Sequence, residues 1–217
     1  MKNIVLVFSR MGLGFLLCAF GTVLALNSNL GLSPWDVFHQ GLARVSGMTI
    51  GQASIVTGIV IVAITALSGL EFGLGTLLNM TVIGFIVDLI IDLRIVPVVH
   101  TLVPGILMVL GSIVTTALGC FLYIGSDMGC GPRDGMMVAL VRRTGKPLSL
   151  VRLSIESGAM IVGWLLGGKV GVGTLITALG IGYCLQLVCR AFRFNVKTLA
   201  QKNLRQCFLF MKESLKA

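Results

Sequence analysis

The chain alternates between long apolar runs and short polar interruptions. Six runs predict long helices, near residues 4–26, 51–69, 74–93, 102–125, 149–168 and 172–190. Each run approaches the roughly 20 residues that a helix needs to cross a bilayer. Two shorter helices are predicted at 34–46 and 132–144. Helices of that length reach only about 20 Å, and the hydrocarbon core is about 30 Å thick, so neither can cross the bilayer alone.

The polar interruptions occur twice, at a constant offset of 98 residues. "LGLSPWD" at 30–36 corresponds to "MGCGPRD" at 128–134, and "GLGTL" at 73–77 corresponds to "GVGTL" at 171–175. Self-similarity at a fixed offset is the signature of an internal repeat. The sequence therefore predicts an all-α polytopic membrane protein with an internal duplication: two four-element repeats, with six long spans and two short or broken helices. The predicted units are repeat 1 (1–98), repeat 2 (99–192) and a basic cytoplasmic juxtamembrane tail (193–217).

The sequence leaves two topologies open. If the short helices are re-entrant, each repeat crosses the membrane three times, and an odd number inverts the second repeat relative to the first. If the extended segments before the short helices help them to cross, each repeat spans four times and the repeats are parallel. Helix length favours the first topology, and the placement of arginine and lysine favours the second. Both topologies place the N- and C-termini in the cytoplasm.

Composition and charge support a membrane location. Hydrophobic residues make up 56% of the 217 residues, charged residues make up 12%, and the mean hydropathy is +0.99. Soluble domains carry about 25% charged residues. Much of the net charge of +9 lies in the tail, where Leu204, Phe208, Met211 and Leu215 repeat at helical spacing. This pattern predicts an amphipathic helix that binds anionic lipids of a bacterial inner membrane, rather than nucleic acid, and a solvated helical tail is the alternative.

The "SPWD" and "GPRD" segments have a structural and a functional interpretation. Structurally, Ser33 fits a helix N-cap, and Gly131 is a permitted but weaker cap in the second copy. Functionally, irregular backbone at membrane depth is tolerated where it is buried in protein or lines a cavity. Paired broken helices at matching positions are the best sequence indication of a transporter's binding site. The candidate substrate-binding residues are Pro34, Trp35, Asp36, Pro132, Arg133 and Asp134.

Carboxylates within the long helices give a second group of candidates. Ionisable residues inside spans usually serve function, so Asp88 and Glu156 are candidates for proton or cation coupling. Arg152 lies one turn before Glu156, and a neutralising ion pair within the helix is the alternative. Asn79 and Thr177 occupy corresponding positions, where we expect hydrogen bonds between helices rather than substrate contacts.

Catalytic motifs are absent from the sequence. The two histidines, His39 and His100, lie in different elements, and there is no HExxH, no GxSxG and no Ser/His/Asp arrangement. The six cysteines show no metal-ligand spacing. We therefore predict no catalytic residue, metal or cofactor, and a protein that is not an enzyme. An intramembrane hydrolase using Asp36 and Asp134 is the weaker hypothesis.

Three segments make the chain resemble the bacterial YczE/YyaS/YitT family of membrane proteins, in its YczE-like branch. They are "LGLSPWDVFHQGLARVSGMTIGQASIVTGIV", "GLGTLLNMTVIGFIVDLI" and "MGCGPRDGMMVALVRRTGKPLSLVRLSIE". The resemblance covers essentially the whole chain. It implies a multi-spanning inner-membrane protein without an agreed substrate or reaction, so it assigns no catalytic residues.

These observations favour a transporter of a small, unidentified solute that works by alternating access at the repeat interface. The alternative is a non-transporting scaffold or accessory protein whose basic tail recruits a cytosolic partner. The bilayer is the expected environment in either case. The sequence leaves a homo-oligomer open.

Overall fold

Each apolar run of the sequence forms a helix. The computed structural model describes residues 4–69, 71–129, 131–194 and 202–216, and these ranges contain helices and no strand. The helices are α1 (Ile4–Asn27), α2 (Pro34–Ser46), α3 (Ile50–Leu67), α4 (Leu74–Asp92), α5 (Leu102–Ile124), α6 (Pro132–Thr144), α7 (Leu148–Leu165), α8 (Val172–Ala191) and α9 (Leu204–Lys216). Six of them, α1, α3, α4, α5, α7 and α8, are long and apolar enough to cross a membrane. The predicted class, a polytopic helical membrane protein, is confirmed.

The helix starts keep the offset seen in the sequence. α1 to α4 begin at residues 4, 34, 50 and 74, and α5 to α8 begin at 102, 132, 148 and 172. The two short helices also end alike, because Gly47 and Gly145 both adopt the left-handed conformation (φ 73° and 65°) that stops a helix. A duplication as the origin of this correspondence stays a prediction from the sequence.

The first helices of the two halves pack against each other in opposite directions. A Cβ placed on Gly14 would lie 2.8 Å from the Gly119 carbonyl oxygen, and one placed on Gly105 would lie 3.0 Å from the Ser28 carbonyl oxygen. Later residues of α1 therefore contact earlier residues of α5, which makes the two helices antiparallel.

The short helices exchange partners between the halves. α2 of the first half packs on α7 of the second half, and α6 of the second half packs on α3 of the first. Such reciprocal contacts are those of a two-fold, self-complementary interface. Such contacts are compatible with either topology, and it is the antiparallel crossing of α1 and α5 that agrees with the inverted one.

The irregular segment before each short helix is held by the opposite half. The Gly173 N–H donates to the Leu30 carbonyl at 2.8 Å, and the Gly75 N–H donates to the Met128 carbonyl at 2.7 Å. Leu30 and Met128 correspond by the 98-residue offset, as do Gly75 and Gly173. The glycine-threonine helix starts therefore complete the backbone hydrogen bonding of the two irregular segments.

The helix predicted in the basic tail is α9, and its N-terminal end is bound to the loop before α6. The Lys202 ammonium pairs with the Asp127 carboxylate at 2.5 Å, and the Asn203 amide donates to Glu71 at 2.7 Å. Cys207 is fully buried and donates to the Met128 carbonyl at 3.6 Å. We call these three tail residues the tail clamp. Residues 195–201 and 217 of the tail lie outside the described residues.

The tail clamp compensates for a difference between the halves. Before α2, the Lys169 ammonium of the second half donates to the Asn29 side chain of the first half at 2.9 Å. By the 98-residue offset, Asn29 corresponds to Asp127 and Lys169 to Glu71, so the corresponding place before α6 has two carboxylates, one from each half. Like charges repel, and the donors of Lys202 and Asn203 offset that repulsion.

The α1–α5 crossing gives a first prediction. Gly119→Ala should lower the free energy of unfolding by about 1–3 kcal/mol, because the new methyl group meets the backbone of α1. Its Cβ would lie 2.7 Å from the Gly14 carbonyl oxygen, and a backbone atom cannot move aside as a flexible side chain can. The measurement is the thermal unfolding midpoint of the purified protein in detergent.

Gly12→Ala is the matched control. Gly12 is also within α1, but a Cβ there meets nothing within 4 Å. Alanine should stabilise the helix at this position by about 0.5–1 kcal/mol. Equal midpoints for the two variants would contradict a close helix crossing at Gly119.

The tail clamp gives a second prediction. Lys202→Gln should destabilise the protein by about 1–3 kcal/mol, because it leaves the partly buried Asp127 carboxylate without its cation. One oxygen of that carboxylate already lacks a hydrogen-bond partner within the described residues. Adding Asp127→Asn should restore much of the loss, and Lys212→Gln, at an exposed tail position, should change little. Thermal unfolding distinguishes these variants; equal effects of the two lysine changes would rule the clamp out.

Candidate functional site

A cavity of about 530 Å³ lies between the two halves and is lined by residues of all eight helices from α1 to α8. Its volume falls within the range of small-molecule sites, about 300–1,000 Å³. The structure brings seven of the eight predicted site residues to this cavity: Pro34, Trp35, Asp36, Pro132, Arg133, Asp134 and Glu156. The helices that follow the two irregular segments therefore both start at this cavity.

The start of α2 forms a closed polar network. Ser33 is the N-cap, with Pro34 in the first turn, as the sequence predicted. The Ser33 hydroxyl donates to the Asp36 carboxylate at 2.5 Å, and its oxygen accepts the Asp36 N–H at 3.4 Å. His39 Nδ1 lies 3.7 Å from the other carboxylate oxygen of Asp36, and the imidazole is 2% exposed. Both oxygens of Asp36 thus have a neighbour within the same helix start.

The start of α6 has the same backbone shape but different chemistry. Its cap, Gly131, offers no side chain, and its first turn exposes Arg133 and Asp134 to the cavity. The Arg133 guanidinium lies 4.9 Å from the centre of the Trp35 ring. Trp35 and Arg133, which occupy corresponding positions in the two motifs, therefore contact each other across the interface. A cation over an indole face is attracted by the ring's quadrupole.

Glu156 lines the cavity as half of an ion pair. Arg152 Nε donates to its Oε1 at 2.9 Å, four residues earlier on α7. The sequence gave this neutralising pair as the alternative to a coupling role, and the structure contains the pair. Arg152 also lines the cavity.

Asp88, the remaining candidate, does not line the cavity. Its carboxylate accepts hydrogen bonds from the Gly51 N–H at 2.8 Å and from the Thr49 hydroxyl. These groups begin α3, so the carboxylate caps that helix and balances its positive end. Gln186, at the corresponding position of the second half, does line the cavity.

Several polar residues of the cavity were not predicted as site residues. Asn79 and Thr177, for which the sequence favoured hydrogen bonds between helices, both line it, as do His39, Tyr123 and Gln186. The Thr177 hydroxyl donates within its own helix, to the Gly173 carbonyl at 2.8 Å. The signal available in the sequence was the offset itself, because Asn79 and Thr177 correspond. Within the described residues, no group of three or more His, Cys, Asp or Glu side chains is arranged to hold a metal ion.

Comparison with known proteins gives a family and no activity. DUF6198, described as a family of unknown function, matches residues 5–190. The uncharacterized membrane protein YczE of Bacillus subtilis is 35% identical over 175 residues, which cover 80% of each chain. An uncharacterized protein of Haemophilus influenzae is 35% identical over 166 residues, covering 76% of this chain and 75% of its own. The uncharacterized protein YyaS of Bacillus subtilis is 25% identical over 171 residues, covering 76% and 84%. The resemblance inferred from the sequence is confirmed. No solved structure matches the chain.

The position of Asp88 gives a third prediction. Asp88→Ala should lower the free energy of unfolding by about 0.5–2 kcal/mol, as expected for the loss of a helix cap. The control is Asp92→Ala, one turn later on the same helix at an exposed position. Thermal unfolding should separate the two variants. An Asp88→Ala protein as stable as Asp92→Ala would mean that the carboxylate does not hold the start of α3.

Proposed function

This chain belongs to DUF6198, a family of membrane proteins of unknown function, and we propose that it transports a small solute by alternating access. The observation that carries the proposal is the cavity between the halves, because both short helices start at it. In secondary transporters, substrate sites lie at the repeat interface and are formed by discontinuous helices. The antiparallel crossing of α1 and α5 agrees with the inverted repeats of many such transporters.

The charged residues of the cavity suit a transporter better than a structural core. Ionisable side chains within a membrane bundle are costly and usually mark a substrate or ion pathway. Asp36, Asp134 and Glu156 all face the cavity, together with Arg133 and Arg152. We assign Glu156, through its exchangeable pair with Arg152, as the residue for proton or cation coupling. Asp88 has no place in this proposal, because its carboxylate is used at the start of α3.

One observation bears on the scaffold hypothesis, namely the exposed outer surface of α9, where a partner or a membrane could bind. Phe208 and Leu209 are 64% and 51% exposed, and Arg205 and Lys212 are exposed beside them. Such a surface suits the headgroup region of an anionic membrane. The inner side of the same segment is occupied by the tail clamp. We therefore propose lipid attachment for α9 and place the function of the protein in the cavity.

Access from both sides of the membrane is the fourth prediction and does not require a known substrate. Cys120 lines the cavity and is partly buried. A chain that keeps only this cysteine should react with a membrane-impermeant maleimide from either face, because alternating access opens the cavity to each side in turn. The measurement is labelling in right-side-out and in inverted vesicles.

Two controls define the result. The chain without cysteines gives the background. In that background, Lys212→Cys, on the exposed surface of α9, should be labelled from one face only. Labelling of Cys120 from a single face would show a static cleft and would overturn alternating access.

A further inference from the structure

Arg133 brings an unpaired positive charge to the cavity. Its guanidinium stacks over Trp35, and within the part of the chain that the structure describes it forms no ion pair and meets no hydrogen-bond acceptor. Arg152, the other arginine of the cavity, is paired with Glu156. A guanidinium carries five N–H donors in a planar fork that matches a carboxylate in a bidentate geometry. The contact with the indole ring holds the guanidinium at the cavity, which both residues line.

Asp134 brings an unpaired negative charge to the same place. Its carboxylate forms no ion pair within the described residues. Arg133 and Asp134 both line the cavity and are not paired with each other, so both charges are available to a ligand. Asp36, by contrast, is engaged by Ser33 and His39.

The charges of the lining disfavour an anionic ligand. The lining contains three carboxylates, Asp36, Asp134 and Glu156, and two guanidiniums, Arg133 and Arg152. An anion at Arg133 would also meet the charges of both aspartates, since Asp36 and Asp134 line the same space. A ligand that places a negative group on Arg133 and a positive group on Asp134 avoids that repulsion.

We propose that the cavity binds a small zwitterion of the α-amino-acid class, with its carboxylate on Arg133 and its ammonium group on Asp134. The volume of about 530 Å³ accommodates such a molecule together with its side chain. Apolar residues of α3 and α7, among them Ile61 and Ile155, line the same space and suit an apolar side chain. This inference rests on the proposed function and names its substrate class.

The test is a ligand panel on the purified full-length protein, and it gives the fifth prediction. Each of the twenty common L-amino acids is added at a fixed concentration, and the shift of the thermal unfolding midpoint is measured, since binding to the folded state raises apparent stability. At least one amino acid should raise the midpoint. Its N-acetyl derivative lacks the positive charge and its methyl ester lacks the negative charge, so both should lose the shift.

Matched variants locate the two charges. Arg133→Gln and Asp134→Asn should each raise the dissociation constant of that amino acid by about 10- to 100-fold, which is the effect of losing a charge-assisted hydrogen bond. Arg143→Gln, at an exposed position of the same helix, should bind it normally. The midpoints of the variants without ligand show whether they fold, and the derivatives test the proposal on the unaltered protein in any case.

The outcomes separate this inference from the proposed function. Equal binding of an amino acid and its N-acetyl derivative would overturn a zwitterion site. A panel in which no amino acid shifts the midpoint would overturn it too, while two-sided labelling of Cys120 would still support transport. Binding that requires Arg133 and Asp134, combined with labelling of Cys120 from one face only, would support the zwitterion site and overturn alternating access.

Discussion

The fold depends on completing the hydrogen bonds of the irregular backbone before each short helix. A carbonyl that leaves the helical pattern inside the protein needs a protein donor, because an unpaired buried backbone group is costly. Here the Leu30 and Met128 carbonyls receive the N–H groups of Gly173 and Gly75, each from the opposite half. A Cβ on either glycine would lie 3.0 Å from the carbonyl oxygen, so the approach favours glycine. Neither half donates the N–H group that its own irregular segment accepts. Each half therefore fixes the irregular segment of the other, and both short helices begin at one cavity.

The same backbone arrangement carries two different chemistries. In the first half, Ser33 and His39 surround the Asp36 carboxylate, and the start of α2 is satisfied from within. In the second half, Gly131 contributes no side chain, so Arg133 and Asp134 remain directed at the cavity. The two irregular segments determine the shape of the site, and the residue differences between them determine its polarity. A single asymmetric ligand needs both.

Local features explain how much of the structure could be predicted from the sequence. Apolar length, proline in the first turn and glycine after the last turn act within a few residues, so the helix boundaries and the Ser33 cap were predictable. Contacts between distant residues were not. Asp88 looked functional because a carboxylate in a span is costly, but its partner, Thr49, lies 39 residues away and begins another helix. Asn79 and Thr177 were assigned to helix packing because the sequence does not show which side of a helix faces a cavity.

The two ends of the cavity differ in ways that bear on alternating access. In an inverted repeat protein, exchanging the conformations of the halves converts one access state into the other. Identical halves would make these states equal in energy. Here Lys169 holds Asn29 in the first half, whereas Asp127 of the second half depends on Lys202 of the tail. The loop before α6 is thus tied to a segment outside the repeat, and the loop before α2 is not. Under the transport proposal, this inequality makes the two access states unequal in energy.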